Sequence, residues 1–291
     1  MLKLFLKKAV RDKTPIVGFV IFLLLYFNAL LGVKRSIYFD NWNYSKIILN
    51  YLVDVPYLVF LIFVIVWGSR SINTESVTLL LSKPLSRRVY VLEKAFSTFL
   101  YFLLLSLLMC PLTYISCFVF GVQPDFSLSF IFIFALMLFS MYSIGLLIST
   151  LFSSRKAPIV AFAVFLLLLY SHYSFTHSIQ REILGSYNIT DYELSQYMAT
   201  NEQLYWNILD DIQALEVKES WRQFFNPFEH FEILLTYLMS NGNQWNYYHS
   251  PELYSILQMP VEAWKSLGFL AFDALLSLMM ASEVFHRKDL R

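Results

Sequence analysis

Asp273 lies in an apolar run, flanked by Phe272, Ala274, Leu275 and Leu276. A carboxylate in such surroundings is costly and must face other helices or water. Its position fits a polar pathway, a contact between helices or subunits, or an ordinary buried hydrogen bond. Asp54, beside Pro56 near the end of another apolar stretch, is a second candidate at a cheaper depth. The remaining chemistry-bearing residues are sparse. His172 and His177 are five apart, a poor helical match for joint metal ligation, and no His-Glu-x-x-His pair occurs. His230 and His249 lack ligand neighbours at useful spacing, so these histidines read as structural and no metal is expected. Cys110 and Cys117, seven apart in one apolar helix, read as buried thiols too distant to bridge. No Ser or Cys sits in a nucleophile setting, and no catalytic residue is expected. The 8 glycines include no Gly-x-x-x-x-Gly-Lys-Ser/Thr loop to cradle phosphate. If ATP drives this chain, it is bound elsewhere.

Elements that could position these residues follow from composition. Of 291 residues, 57% are hydrophobic and 15% charged, against about 25% charged in a soluble domain, and mean hydropathy is +0.55. One water-soluble core cannot hide that surface, so bilayer is the natural solvent. Net charge of +1 gives no case for nucleic acid. Apolar runs of about 20 residues predict six spans, at 16–33, 51–68, 95–120, 128–152, 157–175 and 264–285. The fold class is thus an all-α polytopic membrane protein. With both termini cytoplasmic, the inner segments hold 15 of the 22 Lys and Arg, and the outer ones hold 7; the positive-inside bias selects this orientation. Residues 1–14 form an interfacial element in which Leu2, Phe5, Leu6 and Ala9 oppose Lys3, Lys7 and Arg11. That is an amphipathic helix on the cytoplasmic leaflet. The first apolar run ends at Lys34 and Arg35 rather than at a small-residue cleavage site, so no cleavable signal is expected. Residues 15–175 carry spans one to five, with a cytoplasmic segment at 69–94, and residues 264–291 carry the sixth span and a basic tail.

The outer segment, 176–263, has its own character. Between 176 and 262 it holds 12 Asp and Glu against Arg181, Lys218 and Arg222, a balance of −9. Asp210, Asp211 and Glu216 represent an outer acidic surface. It would either gather a cationic substrate or partner or simply solvate a lysine-poor loop. Thr190 or Asp191 can cap a helix running toward Val217, and Asn226, Pro227 and Glu229 suggest a capping box for a helix to Ser240. Trp206, Trp221, Trp245 and Trp264 suit a surface resting on headgroups.

The cytoplasmic segment is the most specific. Ile72, Leu79 and Leu80 recur at helical spacing with Asn73, Thr74 and Ser76 between them. Pro84 disfavours helix at Lys83, and Ser86 can cap a new helix leading into span three. The result is a short surface helix with a defined turn, a handle another protein can push. Leu79, Leu80, Leu81, Ser82, Pro84, Ser86, Arg87 and the downstream Lys94 resemble the pattern of type 2 ABC-transporter permeases. Glu75 stands where that family usually has Gly, Ser76 where it has Thr, and Asn73 at its acidic position. The ending from Glu283 through Phe285, Arg287, Lys288, Asp289 and Leu290 is similar to the family's, as is the Asn226–Pro227 turn before an outer helix.

The resemblance implies a cell-membrane permease, not an enzyme. Ser76 through Arg87 would couple it to a separate ATPase subunit that holds ATP and Mg. A second permease, identical or related, would complete the assembly. Export is the expected direction, because that family mostly exports. Two rivals remain: an ABC-type mechanical or assembly actuator working on an extracytoplasmic partner, and an ATP-independent secondary transporter. The last should show internal repeats and interrupted spans, and no clear repeat is visible.

Overall fold

The computed structural model describes residues 13–36, 55–72, 87–119, 129–240 and 261–287. Among these residues it is helical with no strand. The order is α1 (Lys13–Ser36), α2 (Val55–Arg70), α3 (Arg87–Val119), α4 (Ser129–Leu151), α5 (Ala157–Tyr187), α6 (Asp191–Thr200), α7 (Glu202–Glu219), a 3-10 turn (Ser220–Gln223), α8 (Pro227–Ser240) and α9 (Val261–Arg287). Helices α1, α3, α4, α5 and α9 are long and apolar enough to cross a membrane, and α2 is a shorter apolar helix of 16 residues. The chain is a multi-pass helical membrane protein. Helix α3 starts at Arg87, where the sequence expects a helix leading into span three. One boundary moves: α5 continues twelve residues past the predicted end of span five. Nothing in 176–184 stops it, and the first glycine, Gly185, falls in its last turn. Residues 1–12 of the predicted interfacial element lie outside the described residues.

The described residues form two compact units, one within 1–165 and 270–291, the other within 166–269. In the first, α2 packs on α1 and α4, and α3 packs on α4. Helix α4 is the centre: 78% of its most apolar window is buried in the chain, against 28% for α1. Gly68 and Gly145 make the α2–α4 crossing possible. A Cβ at Gly145 would run into the Ile65 carbonyl, and one at Gly68 into the Tyr142 carbonyl. Lipid is as apolar as leucine, so close backbone approach and dispersion must hold such helices together. Buried tyrosines add directed bonds: Tyr57 donates to the Phe134 carbonyl at 3.1 Å, and Tyr26 to Ser116 Oγ at 3.0 Å. Leu24, Leu31, Phe118 and Ile159 remain exposed, as a lipid-facing surface requires.

The second unit is built differently. Phe175, Ile179, Leu184, Leu194, Ile208 and Ile212 form an apolar core between α5, α6 and α7. Helix α5 ends where Asn188 turns left-handed, φ 55°, and the Ile189 N–H reaches back to the Leu184 carbonyl at 3.1 Å. Thr190 then caps α6 in a complete capping box with Glu193. The single helix expected from there toward Val217 is two helices. Asn201, at φ −150° and ψ 74°, leaves the helix and its side chain accepts the Leu204 N–H, so the break is also the cap of α7.

Candidate functional site

Two polar constellations stand out, one in each unit. The first surrounds the end of α2, where the segment between α2 and α3 begins. Past the end of α2, the Ser71 N–H closes on the Gly68 carbonyl at 3.0 Å. The Ser71 carbonyl accepts from Lys94 Nζ of α3, while Ser71 Oγ and the Tyr142 hydroxyl of α4 share a hydrogen bond of 2.9 Å. One residue therefore ties the end of α2 to both α3 and α4. A cation at a helix C-terminus is also favoured by the helix dipole. Trp67 packs edge-on against Phe102 and tilted against Tyr142, at 5.8 and 5.1 Å between centroids. Beyond the segment, Arg88 pairs with Glu283 of α9 at 2.7 Å, and Glu283 pairs with Arg287 at 2.7 Å. Glu283 therefore joins the start of α3 to the end of α9, with Arg88 and Arg287 on either side.

Of the residues expected to meet an ATPase, Arg87 opens α3. Ser76, Leu79, Leu80, Leu81, Ser82, Pro84 and Ser86 lie outside the described residues, as does Asp54. Asp273 is 4% exposed on α9, and neither carboxyl oxygen has a hydrogen-bond partner among the described residues.

The second constellation belongs to the second unit. His172 of α5 is bracketed by two carboxylates of α8: Nδ1 lies 2.9 Å from Glu229 Oε2, and Nε2 lies 2.6 Å from Glu232 Oε2. Pro227 fixes the start of α8, and the Asn226 turn docks it. Asn226 Nδ2 donates to the Leu168 carbonyl at 2.9 Å and to Gln223 Oε1 at 3.1 Å, and Ser171 Oγ donates to the same Gln223 oxygen. That docking sets Glu229 and Glu232, one turn apart, against the imidazole. Glu216 of α7 accepts from Thr176 Oγ1 at 3.2 Å. Burial and the nearby charges of Glu229 and Glu232 push Glu216 up to about 8. Burial also raises Glu229, opposed by its bond to His172.

The capping box expected from Glu229 does not form. Asn226 Oδ1 does accept the Phe228 N–H at 3.2 Å, but Glu229 reaches for His172 instead of the cap. Glu216 likewise faces inward to Thr176 rather than joining an open acidic face. Asp211 is exposed and accepts from the Tyr187 hydroxyl at 2.6 Å; Asp210 is half-buried, and burial raises its carboxyl. His230 is fully buried against the Phe269 ring, 4.9 Å between centroids, and burial depresses it to about 4. Sequence reading missed the cluster because His172 meets partners 57 and 60 positions away. The one local signal was three acids, Glu216, Glu229 and Glu232, falling on otherwise apolar helix faces. No group of three His, Cys, Asp or Glu suited to a metal exists among the described residues.

Comparison with curated proteins and with solved structures found no match. A family model described as ABC-2 family transporter protein matches residues 3–290. With nearly the whole sequence covered, and with apolar helices in the arrangement described, the chain belongs to the ABC-2 transporter family.

Proposed function

We propose that the chain is the permease subunit of an ABC exporter in the cell membrane, with both termini cytoplasmic. A separate ATPase subunit binds ATP and Mg, and a second permease of the same or related sequence completes the pair. The observation that carries this reading is the clamp at Ser71. A surface helix can transmit force only if its root is fixed to the spans. Lys94 and Tyr142 fix that root to α3 and α4, and the Arg88–Glu283 pair joins the far side of the segment to α9. ATP-driven movement of the segment would then turn three spans together. Leu79, Leu80 and Leu81 seat in a groove of the ATPase, and Ser76, Ser82, Pro84, Ser86 and Arg87 shape the turn around them.

The test is Leu80→Asp. A carboxylate forced into an apolar groove costs several kcal/mol, roughly, so assembly with the ATPase and stimulation of its activity should be lost in pull-down and turnover assays. Wild-type assembly would sink the coupling role. A second reading, an actuator of an extracytoplasmic partner, is favoured by the separate apolar core of the outer unit. ATP-dependent protection of that unit from protease, with no solute moved in proteoliposomes, would select it.

A further inference from the structure

We propose that His172, Glu216, Glu229 and Glu232 form a proton-operated latch, in which a proton held among the three carboxylates closes α5, α7 and α8 on one another and its loss opens them.

The geometry requires a proton beyond the neutral complement. Each contact of the His172 ring needs one hydrogen between nitrogen and oxygen. A neutral imidazole supplies one, yet both nitrogens face carboxylate oxygens, at 2.9 and 2.6 Å. The triad therefore carries an extra proton, as imidazolium or as a carboxyl O–H. Its Glu229 side chain is 0% exposed, and Oε1 has no hydrogen-bond partner among the described residues. That oxygen is an acceptor enclosed with nothing to accept. Glu216 adds a third carboxyl held by Thr176.

Among the described residues no other cation faces the cluster. On α5, Thr176 is neutral, and His177 and Arg181 are exposed. On α7, Lys218 is exposed, and Glu219 is engaged with Arg222 of the 3-10 turn at 2.9 Å. On α8, His230 is buried against Phe269 and held neutral. With Glu216 ionised, three carboxylates would face one imidazolium in a largely buried site, and like charges there are strongly disfavoured. Glu232, 51% exposed, gives the cluster its path to solvent.

The sign follows from Glu216. In the closed site burial, together with Glu229 and Glu232, pushes its carboxyl from the ordinary 4.5 up to about 8. The closed state binds the proton more tightly, so its advantage is complete below the lower value and is lost as pH rises to the upper one. Between them the opening equilibrium rises by up to about 10-fold per pH unit.

Hydrogen exchange of the full-length protein in lipid nanodiscs, corrected for intrinsic rates and followed from pH 5 to 9, reads this directly. Backbone protection over 170–180 and 210–235 should fall with pH in the wild type. Glu216→Gln, a permanently neutral mimic, should flatten that fall. An unchanged slope in Glu216→Gln overturns the latch. If that variant does not fold, Thr176→Val decides: without the hydroxyl that favours its charged form, Glu216 should open at higher pH, and an unmoved midpoint overturns the proposal. The readout needs neither ATPase nor substrate, so it stands or falls apart from the transport reading.

Discussion

Where α2 crosses α4, two helices meet backbone to backbone through glycine; where α5, α7 and α8 meet, they enclose polar and charged side-chain ends beside an apolar core. The first contact excludes everything larger than hydrogen. The second encloses three carboxyls and an imidazole. Each suits its solvent. Among lipid tails, apolar burial gives helices little reason to associate, so shape and close approach must. In the second unit an apolar core between α5, α6 and α7 does part of the holding, which leaves room for groups that respond to pH.

The same substitution should act with opposite sign in the two regions. Gly145→Ala must push against the Ile65 carbonyl, a backbone atom that cannot swing aside. Overpacking of this kind costs about 3 kcal/mol. Gly185→Ala, in the last turn of α5, meets nothing within 4 Å and should gain about 0.5 kcal/mol from reduced chain entropy. Thermal unfolding in nanodiscs checks both, and a Gly145→Ala protein as stable as wild type would remove close approach as the organising contact of the bundle.

A smaller effect sharpens the comparison from the polar side of the bundle. Lys94→Met keeps an apolar stem of similar length but deletes the charged group, which donates to the Ser71 carbonyl and sits over the Tyr90 ring, 5.8 Å from its centroid. A hydrogen bond to a charged group is worth about 1.5–3 kcal/mol, and the site is only partly buried, so the lower figure applies. If Ser71 is the root through which the cytoplasmic segment pulls, ATPase stimulation should fall further than stability does. Equal, slight losses in both would make Lys94 a helix cap and nothing more.

These regions were unequally legible in the sequence. Spans are plain because twenty apolar residues have few other uses; the segment between α2 and α3 carries local signals of its own, a proline, a cap and a leucine run, but residues 73–86 lie outside the described residues. Asn226 was readable as the start of α8 for the same reason. The Glu229 carboxyl was misassigned by that very logic: a Glu three residues past an Asn satisfies the capping-box pattern, and only the fold reveals a histidine 57 positions earlier within 2.9 Å. The Ser71–Tyr142 bond was likewise out of reach, since serine and tyrosine carry no pattern that marks a tertiary partner. The break at Asn201 was legible in principle. Asn is a favoured N-cap, and its side chain here accepts the Leu204 N–H, but the helix expected from Thr190 toward Val217 runs across it.

The smallest effect tests whether the second unit is held by its own local devices. Asn188 is the described non-glycine residue with positive φ, 55°. There the chain must leave α5 and enter the Thr190 cap of α6 within three residues. Asn tolerates this region because its short side chain adds little crowding, whereas a Cβ-bearing residue without that polar group pays about 1 kcal/mol for it. Asn188→Ala should therefore lower the stability of the second unit by about 1 kcal/mol, and Asn188→Gly should leave it unchanged or slightly higher, because glycine reaches positive φ freely. Hydrogen exchange resolves the two units separately, so the loss should appear over 184–200 while α2 and α4 keep their protection. Should the Ala variant loosen α2 and α4 to the same degree as α6, the two regions unfold as one, and the contrast between a shape-held bundle and a self-supporting second unit would be wrong.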